Sequence, residues 1–175
     1  QRKAIYDFTT GPLIPYAENL NPNGVNDSQV SASYTRIADV AFDVIVMDAQ
    51  MADVSDYLSG AKQMTLNVFS PAPGLTVQIT LEDSNEALPD NFPEGRHSEW
   101  VATTVASGLW EPLTFTLQGQ PDAGVANTSC NRLVLLFAPG TNNGDSWGFD
   151  NLMGPELAND PCEGVSEDFS VLNDF

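Results

Sequence analysis

Apolar and polar positions alternate over several short stretches of the chain. In residues 64–69, MTLNVF, Met64, Leu66 and Val68 share one face while Thr65, Asn67 and Phe69 take the other. A period of two marks a half-buried strand. SPAPG follows, and its prolines and glycine cannot continue a central strand. LTVQITLE, residues 75–82, resumes the alternation with Leu75, Val77, Ile79 and Leu81 on one side, so the two stretches read as a hairpin-like pair. Further strands are expected at residues 3–8, 29–37, 42–47, 98–105, 112–118, 131–138 and 146–152. Only DVSDYLSGAK, residues 53–62, reads as a turn of helix. About nine short strands separated by Gly, Pro, Asn and Asp predict an all-β fold, an antiparallel β-sandwich of the jelly-roll kind.

Two polar stretches, residues 19–29 and 82–97, are long for loops within one domain, and such loops often carry function. After Leu152 the texture changes: GPELANDPCEGVSEDFSVLNDF is acidic and lacks alternation. The expected division is a sandwich over residues 1–157 and an acidic linker or docking tail over 158–175. The tail carries Phe169, Val171, Leu172 and Phe175, too many apolar groups for a purely solvated segment, so it is expected to pack on its own sandwich or on a neighbour.

The length of 175 residues suits one domain with one core. Six Lys and Arg against 24 Asp and Glu leave a formal charge of -18, which repels nucleic acid and anionic membrane surfaces. The same balance suits salty or calcium-rich extracellular surroundings, where bound cations relieve self-repulsion, and points to a secreted or cell-surface location. The longest apolar run, LVLLFA at 133–138, is far shorter than the roughly 20 residues that span a bilayer as a helix. The amino-terminal residues QRKAIYDF hold no apolar signal stretch; either a signal has been removed or the chain belongs to a longer one. Cys130 and Cys162 can form one disulfide if the compartment is oxidising.

Little in the sequence supports catalysis, and the chain is expected to be non-catalytic. His97 lacks a nucleophile motif to serve and reads as a solvated loop residue. One His and two distant Cys cannot make a usual zinc site. Glu82, Glu86, Glu94, Glu99 and Glu111 are glycosidase candidates by residue type alone, uninformative among 24 acids. Asn26 and Asn127 match the glycosylation acceptor pattern. Sugar binding needs exposed aromatic faces beside amides and carboxylates. Trp147 alternates with Phe149 and should face the core, and Trp110 should seal one end of it. Trp100, Tyr16 and Tyr34 are the expected ligand platforms. Asp150, opposite in alternation to Trp147 and Phe149, reads either as a calcium ligand or as an edge charge that blocks strand addition. Asp7, on the first expected strand, could approach it; Asp43, Asp48 and Asp145 are weaker candidates.

AKQMTLNVFSPAPGLTVQITLED, VATTVASGLWEPLTFTL, NRLVLLFAPG and SWGFDNL together resemble the jelly-roll modules, related to calcium-containing carbohydrate-binding modules, that recur in large secreted bacterial surface proteins. The resemblance covers residues 4–157. It implies that Asp150 binds a structural Ca2+ together with an acidic first-strand residue, here Asp7. DPCEGVSEDFSVLNDF also resembles the linkers between consecutive modules. Two functions follow as expectations. One is a non-catalytic polysaccharide-binding repeat of an adhesin. The other is a self-assembling subunit of an extracellular fibre or filament, whose tail docks on a neighbouring copy.

Overall fold

The computed structural model describes residues 2–3, 12–19 and 21–159. Two sheets face each other across one core. The larger has the order β1-β4-β10-β6-β7-β9, formed by β1 (Arg2–Lys3), β4 (Asp43–Asp48), β10 (Arg132–Phe137), β6 (Thr76–Glu82), β7 (Arg96–Thr103) and β9 (Thr116–Gly119). The smaller has the order β2-β3-β11-β5-β8, from β2 (Leu13–Glu18), β3 (Val30–Thr35), β11 (Ser146–Met153), β5 (Thr65–Phe69) and β8 (Trp110–Thr114). All pairings are antiparallel except the two-residue contact of β1 with β4. A single helical turn, α1 (Ser55–Leu58), lies where one was expected. No helix among the described residues is long and apolar enough to cross a membrane.

Alternation builds the core. Leu66 and Val68 of β5 and Trp147 of β11 point inward from one sheet; Val77, Ile79 and Leu81 of β6 and Leu133, Leu135 and Phe137 of β10 point inward from the other. Each fully buried Leu, Ile or Val contributes about 1.5–3 kcal/mol. Phe137 is the aromatic centre, with ring centroids 4.8 Å from Trp147, 5.5 Å from Phe149 and 5.7 Å from Tyr34.

Three expectations about the strands are corrected. β5 and β6 are not a hairpin: β5 pairs with β11 and β8, β6 with β10 and β7, and the Pro-rich connection carries the chain from one sheet to the other. Both strands alternate toward the same core, which a facing pair satisfies as well as a hairpin does. The stretch 112–118 is divided, with β8 in the smaller sheet and β9 in the larger, and the buried Phe115 filling the corner between them. LIPYAE, absent from the expected strands, forms β2. Pro15 obscures its pattern, and a central strand could not accept it; β2 is an edge strand whose register shifts between Ile14 and Ala17.

Candidate functional site

The outer face of the larger sheet carries the candidate site. Because Val77, Ile79 and Leu81 face the core, Gln78, Thr80 and Glu82 of β6 face outward, and Glu99 of β7 lies opposite Thr80. On the neighbouring strands Val44, Val134 and Leu136 form a small apolar cluster separate from the main core. A groove of about 440 Å³ runs over this face, lined by Phe42, Gln78, Thr80, Glu82, Phe92 and Glu99, together with Pro89, Arg96 and Leu136. Two rings reach solvent here, Phe42 at 52 % and Phe92 at 66 % exposure.

One wall is residues 83–95, held by buried Arg96. Its Nη1 donates to Asn91 Oδ1 at 2.7 Å and to the Glu94 carbonyl at 2.6 Å, and Nη2 donates to the Leu88 carbonyl at 2.6 Å. Gly95 adopts a φ of +75°, and a Cβ there would lie 2.4 Å from the Ala87 backbone nitrogen, so the loop closes on itself only with glycine. The opposite wall, Phe42, is braced from the β3–β4 connection. Arg36, also buried, donates to the Val40 and Ala41 carbonyls and to the Thr141 hydroxyl and carbonyl, tying the backbone before Phe42 to the turn after β10.

The electrostatics of the groove are one-sided. Among the described residues Arg96 is its only cationic lining residue, and its Nη atoms are turned to the loop. Glu82 is 5 % exposed, and its carboxylate stands 3.6 Å from Arg96 Nε, an ion pair too long for a hydrogen bond. Burial pushes the Glu82 carboxyl up; Arg96 and Arg132 pull it back, while Asp48 and Glu99 add to the rise. Burial likewise pushes the Glu99 carboxyl up.

The expected sugar platforms divide. Tyr16 is 70 % exposed on edge strand β2. Trp100 and Tyr34 are not exposed: at 3 % and 1 % they belong to the core and present no ring face. Trp100 is opposite Ile79, which faces inward, and its Nε1 donates to Ser98 Oγ at 2.9 Å; Tyr34 is opposite Trp147. His97 is also buried rather than solvated, between Ser98 Oγ at 2.9 Å and Asn127 Oδ1 at 3.0 Å. Of the two acceptor patterns, Asn26 is buried, and Asn127 is half-buried with its Oδ1 held against His97 Nε2. Trp110 does not seal the core. It lies on the outer face of the smaller sheet, its ring 5.8 Å from Phe69, and donates to Asn19 Oδ1 at 3.0 Å.

Of the five glutamates, Glu82 and Glu99 share the groove, whereas Glu111 lies on the other sheet and accepts from the Val105 and Ala106 backbone amides. Asp150 pairs with Asn67 on the outer face, as its alternation predicts. Its Oδ1 accepts from the Asn151 amide at 2.8 Å, and its Oδ2 is buried with no hydrogen-bond partner among the described residues. An orphaned carboxylate oxygen fits a cation ligand, although no group of three or more His, Cys, Asp or Glu side chains converges among the described residues. β1 pairs in the opposite sheet from β11. Asp7 lies outside the described residues. So do Cys162 and the tail residues Phe169, Val171, Leu172 and Phe175. Cys130 is a buried free thiol, its pKa pushed up to about 12 by burial first and by Asp83 second.

The fold and this groove define a β-sandwich of jelly-roll type with an open, aromatic-walled sheet face. No family model matches the sequence, and no curated protein does. Among solved structures, the chain is similar to a family 30 carbohydrate-binding module, with a TM-score of 0.53 and 13% identity over 86% of this chain and 80% of that one. A family 11 carbohydrate-binding module from Clostridium thermocellum, in complex with a β-1,3-1,4-mixed-linked tetrasaccharide, overlaps with a TM-score of 0.46 and 12% identity over 74% and 79%. At this identity the first similarity establishes the fold.

Proposed function

We propose that the chain is a non-catalytic polysaccharide-binding module, a unit of a secreted or cell-surface adhesin, and that the glycan lies in the groove on the larger sheet. The observation that carries this reading is the placement of exposed Phe42 and Phe92 beside Gln78, Glu82 and Glu99 in one groove. A pyranose presents apolar C–H faces that stack on rings and hydroxyls that donate to carboxylates and amides. Phe92→Ala is expected to weaken retention on an affinity gel of the bound polysaccharide by at least about tenfold, with a melting temperature unchanged. Retention that ignores this substitution sinks the groove as the site.

The same reading gives Asp150 a structural Ca2+, supported by its buried, unpartnered Oδ2. By resemblance Asp7 is the second ligand. The ion would join strand ends by satisfying carboxylates that otherwise repel each other. Chelator and Asp150→Asn should each lower the melting temperature; if neither does, Asp150 is an edge charge.

A second reading, a self-assembling subunit of an extracellular filament, is favoured by β9. Among the described residues this strand pairs only with β7 and so leaves an edge to which a neighbour's strand can add. Light scattering of the chain with and without residues 158–175 distinguishes the two: a monomer in both cases rules assembly out.

A further inference from the structure

The groove holds more negative charge than its walls neutralise. Glu82 is almost fully buried, yet among the described residues no hydrogen bond reaches its carboxylate, and its ion pair with Arg96 Nε is 3.6 Å long. Arg96 Nε is itself buried without a hydrogen-bond partner. The rest of that guanidinium is committed to Asn91 and to the Glu94 and Leu88 carbonyls. Glu99 stands diagonally from Glu82 across β6 and β7, half-buried, and among the described residues no hydrogen bond or ion pair reaches its carboxylate. Side chains so placed on one sheet face are within reach of a common ligand. Gln78 Nε2 donates to Thr80 Oγ1 at 3.2 Å, which leaves the Gln78 carbonyl oxygen as a further acceptor beside them.

Resting on the glycan-groove reading, we infer that this site selects amino sugars: a protonated hexosamine amine sits between Glu82 and Glu99 while the sugar ring stacks on Phe92 or Phe42. Acceptors outnumber free donors in the groove, with two carboxylates and the Gln78 carbonyl oxygen against the Thr80 hydroxyl and one Gln78 N–H. An ammonium has three donors and no acceptor, so it matches this lining, and it supplies the missing positive charge where partial burial strengthens the attraction. A uronate would bring a third carboxylate to the same place and be repelled, within a chain whose formal charge is already -18.

The test is calorimetric titration of the full chain, near pH 6 where an amine keeps its proton, with three oligosaccharides of equal length: glucosamine, N-acetylglucosamine and galacturonate. The glucosamine oligomer should bind at least about fivefold more tightly than its acetylated counterpart, and the galacturonate oligomer most weakly. Glu99→Gln should cut that preference to within about twofold, and so should about 1 M salt on the unaltered chain, which needs no folded variant. Equal or tighter binding of the acetylated oligomer overturns the inference, as does a preference that survives both Glu99→Gln and salt. If Phe92→Ala leaves every titration unchanged, the glycan lies elsewhere and the groove reading itself has failed. That result differs from a groove that binds sugars without regard to charge.

Discussion

The outer faces of the two sheets are built from similar strands and end in opposite surfaces. On the larger sheet, Phe42 and Phe92 stand open over a row of polar side chains on β6 and β7. On the smaller sheet, the floor is small: Ser31 and Ser33 of β3 with Gly148 and Ser146 of β11, beneath Phe69 and Trp110. Gly148 matters because a Cβ there would come within 3.1 Å of both the Phe69 Cβ and the Trp110 indole, so the ring settles onto bare backbone. The loop before β3 then closes over it, with Asn19 accepting from the indole and Asn23 Nδ2 donating to the Trp110 carbonyl at 3.3 Å. The larger aromatic is thus spent on packing, while two phenylalanines remain available. Ring size does not mark a ligand platform; what covers the ring does.

The comparison can be broken most forcefully at Trp110. Trp110→Ala should cost about 3 kcal/mol and lower the melting temperature by roughly 6–12 °C, with polysaccharide binding retained below the transition. Loss of binding without loss of stability would move the ligand to the smaller sheet. Gly95→Ala should have an intermediate effect on both properties. The left-handed φ and the clash with the Ala87 backbone together cost about 2 kcal/mol, and the displaced loop carries Phe92 away from the groove. Thermal melts with parallel titrations would show both losses; a stable, fully binding variant would mean that the loop is not a groove wall.

The smallest effect concerns pH. Burial raises the folded-state value of Glu99 above the ordinary 4.5, so the folded chain keeps this proton to higher pH than the unfolded chain does. Stability therefore falls as pH climbs from the ordinary value through the raised one, and the whole deficit is present above it. Glu99→Gln removes the charge and should raise the melting temperature at pH 7 by no more than about 2 °C, the group being only half-buried. Near pH 4, where Glu99 is largely protonated in both states, the variant and the parent should melt alike. A variant that gains equally at both values would owe its gain to something other than the buried charge.

Much of the sandwich was legible because alternation is a local property. Leu66, Val68, Val77, Ile79 and Leu81 face the core as their spacing predicts, and Asp150 faces outward for the same reason. The groove was less so. The polar row Gln78, Thr80 and Glu82 can be read as the complement of the apolar row, and residues 82–97 stood out as a long loop, but nothing local joins that loop to Phe42. The juxtaposition depends on β10 lying between β4 and β6, a pairing between distant segments, and on the Arg96 hydrogen bonds that fold the loop back.

Trp100 marks the limit most clearly. It is an expected ligand platform, yet its pairing with Ile79 and its hydrogen bond to Ser98 place it in the core. The sequence alone determined the all-β character, the inward residues of β5 and β6, the single helical turn and the strongly acidic balance, since each follows from neighbours along the chain. Tertiary structure alone decided which strands share a sheet, where residues 112–118 divide, which rings reach solvent and which carboxylates meet. Those outcomes depend on the other segments that pack over each residue, and spacing along the chain carries no record of them.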